Sequence, residues 1–530
     1  MTRKTKALFA VSVCSAISVA SILGPTPVAA QTQTPKLGTI SFPNSGNAAS
    51  QAPFTRGVLL YYTFEYGPAA ESFREAQKAD PSFALAYWGE ALTFTHQVWN
   101  QQDMAAGRAA LAKLGPDVAS RRAKAANARE KMYMDLAEEL YGAGGKEKRD
   151  TLFTAAALRL STANPSDDEA KILYALGLLG LNQSVRDFTT YMQAGSIAED
   201  VLRRNPDHPA AAHFVIHAFD DPVHAPLGLW AARAYSKIAP AAPHAQHMTS
   251  HIFVALGMWD DVISQNVIAS GHDHEAYAAG HYTWWLGYGY VQAGRYADAK
   301  AHLETVKRNL DKGRGGGGAV QMMRAHYVID GELWTDPVAQ WDLSGLPPSP
   351  YGSPNDLFLR GFTAIKRNDR ATADAALDAL AKLPKPAAGT PGEFGGAPPV
   401  LERELRSAIL SFDKKHVEAV ALAREAAASE EAMPFEFGPP MVAKPTFELL
   451  GEILLAAGKP ADAQAAFQKS LARTPGRSRS LIGLARAASA AGDRATAESA
   501  AQKLKSNWHA ADKNLPELAE IARLVASAKE

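Results

Sequence analysis

From Pro53 to the C-terminus, apolar and small residues recur at helical spacing in segments separated by short Gly, Pro and Asp turns, and period-two alternation is scarce. That pattern predicts helices throughout. A longer period runs through them. Ala-x3-Phe-x2-small-x4-Pro occurs as Ala69, Phe73, Ala76 and Pro81, and again as Ala463, Phe467, Ser470 and Pro475. Leu450-Gly451, followed by Leu454, precedes the second copy. Weaker copies are Leu176-Gly177 leading to Pro206, Leu256-Gly257 with Trp259, and Leu286-Gly287 with Tyr290. In such a unit the small residues let helix A and helix B approach, and the bulky ones fill the gap to the next unit.

These are halves of a tetratricopeptide unit of about 34 residues. The expected fold is therefore all-α, a right-handed α-solenoid of tetratricopeptide-like helical hairpins. One array spans residues 53–312, a Gly/Pro-rich interruption spans 313–354, and repeats resume over 355–530. The interruption holds the run Gly313 to Gly318, broken only by Arg314, and the stretch Leu346 to Pro354; a further Pro/Gly-rich stretch runs from Pro384 to Pro399. No Lys-Ser/Thr follows the glycine run and no strand precedes it, so it reads as a hinge or surface loop and not a phosphate cradle.

The N-terminal segment differs from the rest. Arg3, Lys4 and Lys6 precede an apolar stretch from Ala7 to Leu23, and Val28-Ala29-Ala30 supplies small residues before Gln31. This is the three-part pattern of a secretory signal over residues 1–30, which implies a periplasmic or secreted mature chain. Val13 before Cys14 argues against a lipoprotein. Residues 31–52 are rich in Thr, Pro, Asn and Ser and read as a flexible lead-in. No later segment has the length of uninterrupted apolar residues that a membrane span needs. Across 530 residues, 55 Lys and Arg balance 55 Asp and Glu, which gives no reason to expect nucleic-acid binding. Cys14, within the signal, is the single cysteine, so the mature chain has no disulfide and no thiolate ligand.

The histidines are concentrated. Of 15, ten fall between His208 and His281. His213 and His217 are i,i+4 partners, and His244, His247 and His251 lie on one helical stripe. Placed on the repeat, Ala211 to Phe219 is a helix A and Leu227 to Ile238 its helix B. Ala242 to Leu256 is the next helix A, Trp259 to Ser270 its helix B, and Glu275 to Ala293, bearing His281, a third helix A. Helices A line the concave face of such superhelices, so six imidazoles converge there. Neutral imidazole suits Zn, Cu, Ni and Fe, and the expected cofactor is a transition metal, zinc or copper foremost. Asp220 continues the first His stripe, either as a carboxylate ligand or as a group fixing an imidazole tautomer. A buried hydrogen-bonded network without metal, or a pH-responsive or ligand-binding cluster, would use the same residues. His208, His302, His326, His416 and His509 read as hydrogen-bonded structural residues, and His224, His272 and His274 fall in turns.

Other chemistry is absent from the sequence: there is no His-Glu-x-x-His, Gly-x-Ser-x-Gly, dinucleotide fingerprint or Walker loop, hence no nucleotide cofactor. Ser250 points off the His stripe. Two aromatic clusters, Tyr87-Trp88 through Trp99 and Tyr282 with Trp284-Trp285, read as packing between units or as the wall of a groove. Glu90 is a candidate general base or carboxylate ligand if the superhelix brings it to the histidines.

At these residues the chain resembles a bacterial family of exported tetratricopeptide-repeat proteins, distantly similar to the tetratricopeptide repeat protein 38 group. The resemblance rests on Ala86-Tyr87-Trp88-Gly89-Glu90-Ala91, on His213-Phe214-Val215-Ile216-His217-Ala218, and on His244-Ala245-Gln246-His247-Met248-Thr249-Ser250-His251-Ile252. It continues in Gly438-Pro439-Pro440, Lys444-Pro445 and Glu448-Leu449-Leu450-Gly451-Glu452. Members commonly carry Pro where this chain has Thr249. The resemblance implies the fold and the identity of the His motifs, and no substrate. Two functions are open from sequence. One is a metal-dependent enzyme, activating water at one ion or dioxygen at a pair held by three His each. The other is a scaffold whose groove takes a small molecule, peptide or protein, with structural histidines.

Overall fold

The structure, a computed structural model, describes residues 36–181, 187–271, 276–384, 397–433 and 437–526. The expected signal, the first residues of the lead-in, His272 and His274 lie outside these ranges. The chain is an all-α solenoid of helical hairpins running from Ala48–Tyr62 to Pro516–Ala526. Among the described residues the only ladder of strands is the short pair Thr95–His96 and Gln101–Gln102.

The repeat signal has a direct packing cause. A Cβ added at Gly57 would stand 2.9 Å from the Phe73 ring, and one at Gly89 would stand 2.3 Å from it. Gly451 and Gly483 flank Phe467 in the same way, at 2.7 and 2.2 Å. Each Phe is therefore clasped by glycines from the helices before and after it, and nothing larger fits without displacing the ring.

Two regions depart from expectation. Residues 36–47 are not a flexible lead-in: Leu37 and Phe42 are buried, and Phe42 packs edge-on against Phe54 at 5.3 Å. Backbone bonds from Thr39 to Asp207 and from Ala241 to Lys36 tie the segment across the hairpins that carry the histidines. In the expected interruption, Gly317 and Gly318 open a helix, Gly317–Gly331, because Leu346, Ser349 and Tyr351 pack too closely there for side chains.

The solenoid also folds back on itself. Gly257 and Gly476 meet backbone to backbone, the Trp259 indole donates to the Gly476 carbonyl at 3.1 Å, and Trp508 donates to the Gln292 carbonyl at 3.1 Å. Arg477, fully buried, binds Asp330 and Glu448, and Lys444 binds Glu448 and Glu452 at 3.1 and 2.7 Å. Buried charges of this kind are tolerated only when paired. The cluster therefore fixes the 440s segment against helices more than a hundred residues earlier. In consequence two of the three helices expected to line the concave face are enclosed: every residue of Pro209–Phe219 is buried, as is nearly all of Pro243–Ala255.

Candidate metal centre

Three helices present the histidines, and each begins where the sequence dictates. Pro209 and Pro243 occupy the first turn of their helices, where a missing N–H does no harm. The His208 ring caps the first of these by accepting from the Ala211 N–H. The third, His281–Gln292, starts after Gly280, whose N–H donates to the Thr283 hydroxyl. It begins later than the expected Glu275, and His281 is its first residue.

The six histidines form two groups. His213, His217 and His244 have ligand nitrogens within 4.8 Å of one another, and so do His247, His251 and His281. Each group is an i,i+4 pair completed by a residue from the first turn of the next helix A. His247 and His251 lie 34 residues after His213 and His217, which is the repeat period itself. Consecutive units thus carry the same device, and the helix Pro243–Ala255 serves both. The groups face each other: the rings of His244 and His247 are 6.2 Å apart, as are those of His217 and His251. All but His281, which is exposed, are buried.

Outer partners fix the tautomers. The His213 Nδ1 donates to the Tyr62 carbonyl at 2.9 Å. The His247 Nδ1 donates to the Asn266 Oδ1 at 2.7 Å, and the Asn266 amide is oriented by its own bond to the Val262 carbonyl. The His251 Nδ1 donates to the Asp220 Oδ2 at 2.5 Å. With both Nδ1 hydrogens committed, the Nε2 atoms of His247 and His251 face each other 3.2 Å apart as two lone pairs. In the other group the Nε2 atoms of His213 and His244 stand 3.3 Å apart. Burial lowers His213 to a pKa of about 3, and burial with neighbouring imidazoles holds His244 and His247 well below the ordinary histidine value. Imidazole nitrogens gathered within 4.8 Å of one another, in two groups of three, form donor sets that could hold a transition metal.

Asp220 accepts from the His251 Nδ1, a contact that fixes that ring's orientation. Glu90 does neither job foreseen for it: its buried carboxylate is held by Lys113 at 2.7 Å, Gln77 at 2.7 Å and Arg74 at 3.3 Å. An acid so paired is a structural anchor. His302 donates to the Thr283 carbonyl, and His224 pairs with Asp221, both away from the two groups.

Sequence reasoning missed the groups that surround the imidazoles. The end of the first helix supplies the Tyr62 carbonyl, and the turn after it the Phe64 ring at 4.3 Å from His213 and the Glu65 carboxylate that accepts the His244 N–H. Phe64 sits at a positive φ of 57°, a conformation costly for a bulky residue, held by its contacts with three of the histidines. From the other end of the chain, Gly438 lies flush on Trp285, whose ring is 4.3 Å from His251 and 4.8 Å from His247. The 34-residue offset was visible in the sequence, and the resemblance included Gly438 without giving it a place; nothing local marks Phe64.

No protein-family model matches the chain, and neither does any curated protein. Among solved structures it is similar to the human IFIT1 dimer with m7Gppp-AAAA, at 13% identity and a TM-score of 0.36, over 89% of this chain and 92% of that one. It is similar also to the Cut9–Hcn1 hetero-tetramer of the APC/C, at 11% identity and 0.33, over 93% and 79%. A third is yeast Tom70, at 11% and 0.30, over 91% and 95%. Likeness at this level says nothing of what this chain binds. Among the described residues no helix is long and apolar enough to cross a membrane.

Proposed function

We propose that this is an exported tetratricopeptide-like protein built around a paired, all-histidine transition-metal centre, and that it works as a redox metalloenzyme. The observation that carries the reading is the facing Nε2 lone pairs of His247 and His251, 3.2 Å apart with both Nδ1 hydrogens spent; one unit earlier the Nε2 atoms of His213 and His244 come within 3.3 Å. Two acceptors at that distance repel unless a cation lies between or before them.

The donor set narrows the metal. Six imidazoles without a carboxylate ligand suit Zn, Cu, Ni or Fe and not Mg, Ca or Mn. Neutral ligands offset none of the repulsion between two ions, and that repulsion is four times greater for a divalent than a monovalent pair at the same distance. Copper, which is stable as a monovalent ion and heads the divalent affinity order, fits best. It would supply one electron per ion, and a pair would exchange two. The chain's residues do the rest: Asp220, Asn266 and the Tyr62 carbonyl hold the imidazole tautomers, and Phe64 and Trp285 pack their rings against the two groups. Export, read from Arg3, Lys4 and Lys6 and the apolar stretch behind them, agrees with a site free of cysteine in an oxidising compartment.

Elemental analysis of untagged protein from the exported fraction tests the centre. The expected result is two copper ions per chain in wild type and one in either His217→Ala or His251→Ala. A metal-free wild type whose melting temperature ignores exhaustive chelation would leave the scaffold reading, with structural histidines, in its place. The mature N-terminus, by mass spectrometry, should fall near Gln31; an intact signal on periplasmic protein would refute export.

A further inference from the structure

A cleft of about 750 Å³ leads from the surface to the paired centre. Its lining includes His244 of one group and His281 of the other, so its floor spans both. Trp99, Tyr282, Trp284, Tyr351 and Phe437 form most of its walls. Trp284 and Tyr351 are stacked 5.8 Å apart with planes 8° from parallel, and Trp99 stands edge-on to His244 at 5.6 Å. Tyr282 lies between the groups, 4.6 Å from His247 and 6.5 Å from His244.

The walls select by shape and charge. Flat aromatic faces favour another ring, each well-placed pair adding roughly 0.5–1.5 kcal/mol beyond burial. Among the described residues no Lys or Arg lines the cleft and Glu65 does, so its walls favour a neutral substrate over an anionic one. Within the usual range of ligand pockets, the volume admits one substituted ring and excludes a folded macromolecule. Two metals side by side at the floor match two adjacent oxygen substituents on one ring.

Building on the paired-centre reading, we propose that the substrate is a catechol-type ring, an aromatic with two neighbouring hydroxyls, oxidised to its quinone with dioxygen as oxidant. Each ring gives up two electrons and its two hydroxyl protons. One dioxygen accepts four electrons and four protons from two rings and leaves as two waters, so nothing else is consumed.

The test separates cleft from metal. In metal-free protein, 4-methylcatechol should quench the fluorescence of Trp99 and Trp284, while cis-1,2-cyclohexanediol, with the same hydroxyls and no aromatic ring, should not. Trp99→Ala and Tyr351→Ala should each weaken the catechol response several-fold. With two cupric ions loaded and air excluded, one quinone should form per chain and then stop; admitting air should restart it at two catechols per dioxygen. Quenching with a burst supports the proposal. A chain that binds two coppers but yields no quinone, or binds the diol as well as the ring, overturns it. A chain that takes up no metal overturns the paired-centre reading instead, and the fluorescence arm still reports on the ring. Tight binding of an aromatic peptide in preference to 4-methylcatechol would assign the cleft to a peptide and overturn the proposal.

Discussion

Gly438→Ala puts the smallest side chain where the structure has no room for one. The new Cβ would stand 2.0 Å from Trp285 Cζ2 and 2.4 Å from Cη2, and Gly438 adopts a φ of +87° that disfavours any L-residue. Overpacking of this kind costs about 1–3 kcal/mol, and the left-handed backbone about 1–2 kcal/mol more. Total destabilisation should therefore be about 2–5 kcal/mol. Trp285 has nowhere to retreat: it is fully buried against His251 at 4.3 Å, His247 at 4.8 Å and His281 at 5.2 Å. A displaced indole must move the imidazoles of that group while leaving His213, His217 and His244 where they are. Competition against a coloured chelator should show one ion lost at least tenfold more readily, about 1.4 kcal/mol, and the other unchanged. Gly492→Ala is the control, since Gly492 has a φ of +81° with nothing within 4 Å, so it pays the backbone term alone. Equal weakening of both ions, or of neither while stability falls, would refute the idea that the C-terminal half holds the second group.

Gly451→Leu, whose Cβ meets Phe467 at 2.7 Å, should destabilise the C-terminal hairpins by about 1–3 kcal/mol. A chain coupled only between neighbouring units would keep full metal occupancy, whereas the fold-back through Glu448, Arg477 and Gly438 predicts a weaker ion at His247, His251 and His281; equilibrium dialysis decides. His302, its pKa lowered to about 4 by burial, stays neutral where the unfolded chain is protonated near pH 6.5. Its stabilisation is full above pH 6.5 and falls as pH drops towards 4, by about 2 kcal/mol at pH 5. Chemical denaturation at pH 7.5 and 5 should show His302→Gln losing about that much less than wild type, and equal losses would count against the assignment.

What the sequence determined by itself was whatever is written in local spacing. Helical periodicity fixed the all-α class, and the Ala-Phe-Pro motif marked Phe73 and Phe467, because a ring clasped between neighbouring helices needs small residues at set offsets along one stretch of chain. The His stripes were equally legible, since i,i+4 spacing places two imidazoles on one face whatever the rest of the molecule does. Tertiary structure decided the remainder. It split six histidines into two groups of three by bringing the first turn of each following helix to the pair before it. It removed Glu90 by pairing it with Lys113, and it gave Asp220 an orienting role by aiming His251 at it. It also narrowed the expected groove to a cleft, with residues 36–47 packed on the hairpins that carry the histidines and the segment at Gly438, held by the buried Lys444, Glu448 and Arg477, packed on Trp285. Those contacts join residues as far apart as Lys36 and Ala241, well beyond any local periodicity, because they depend on how far the superhelix turns before its end meets its middle.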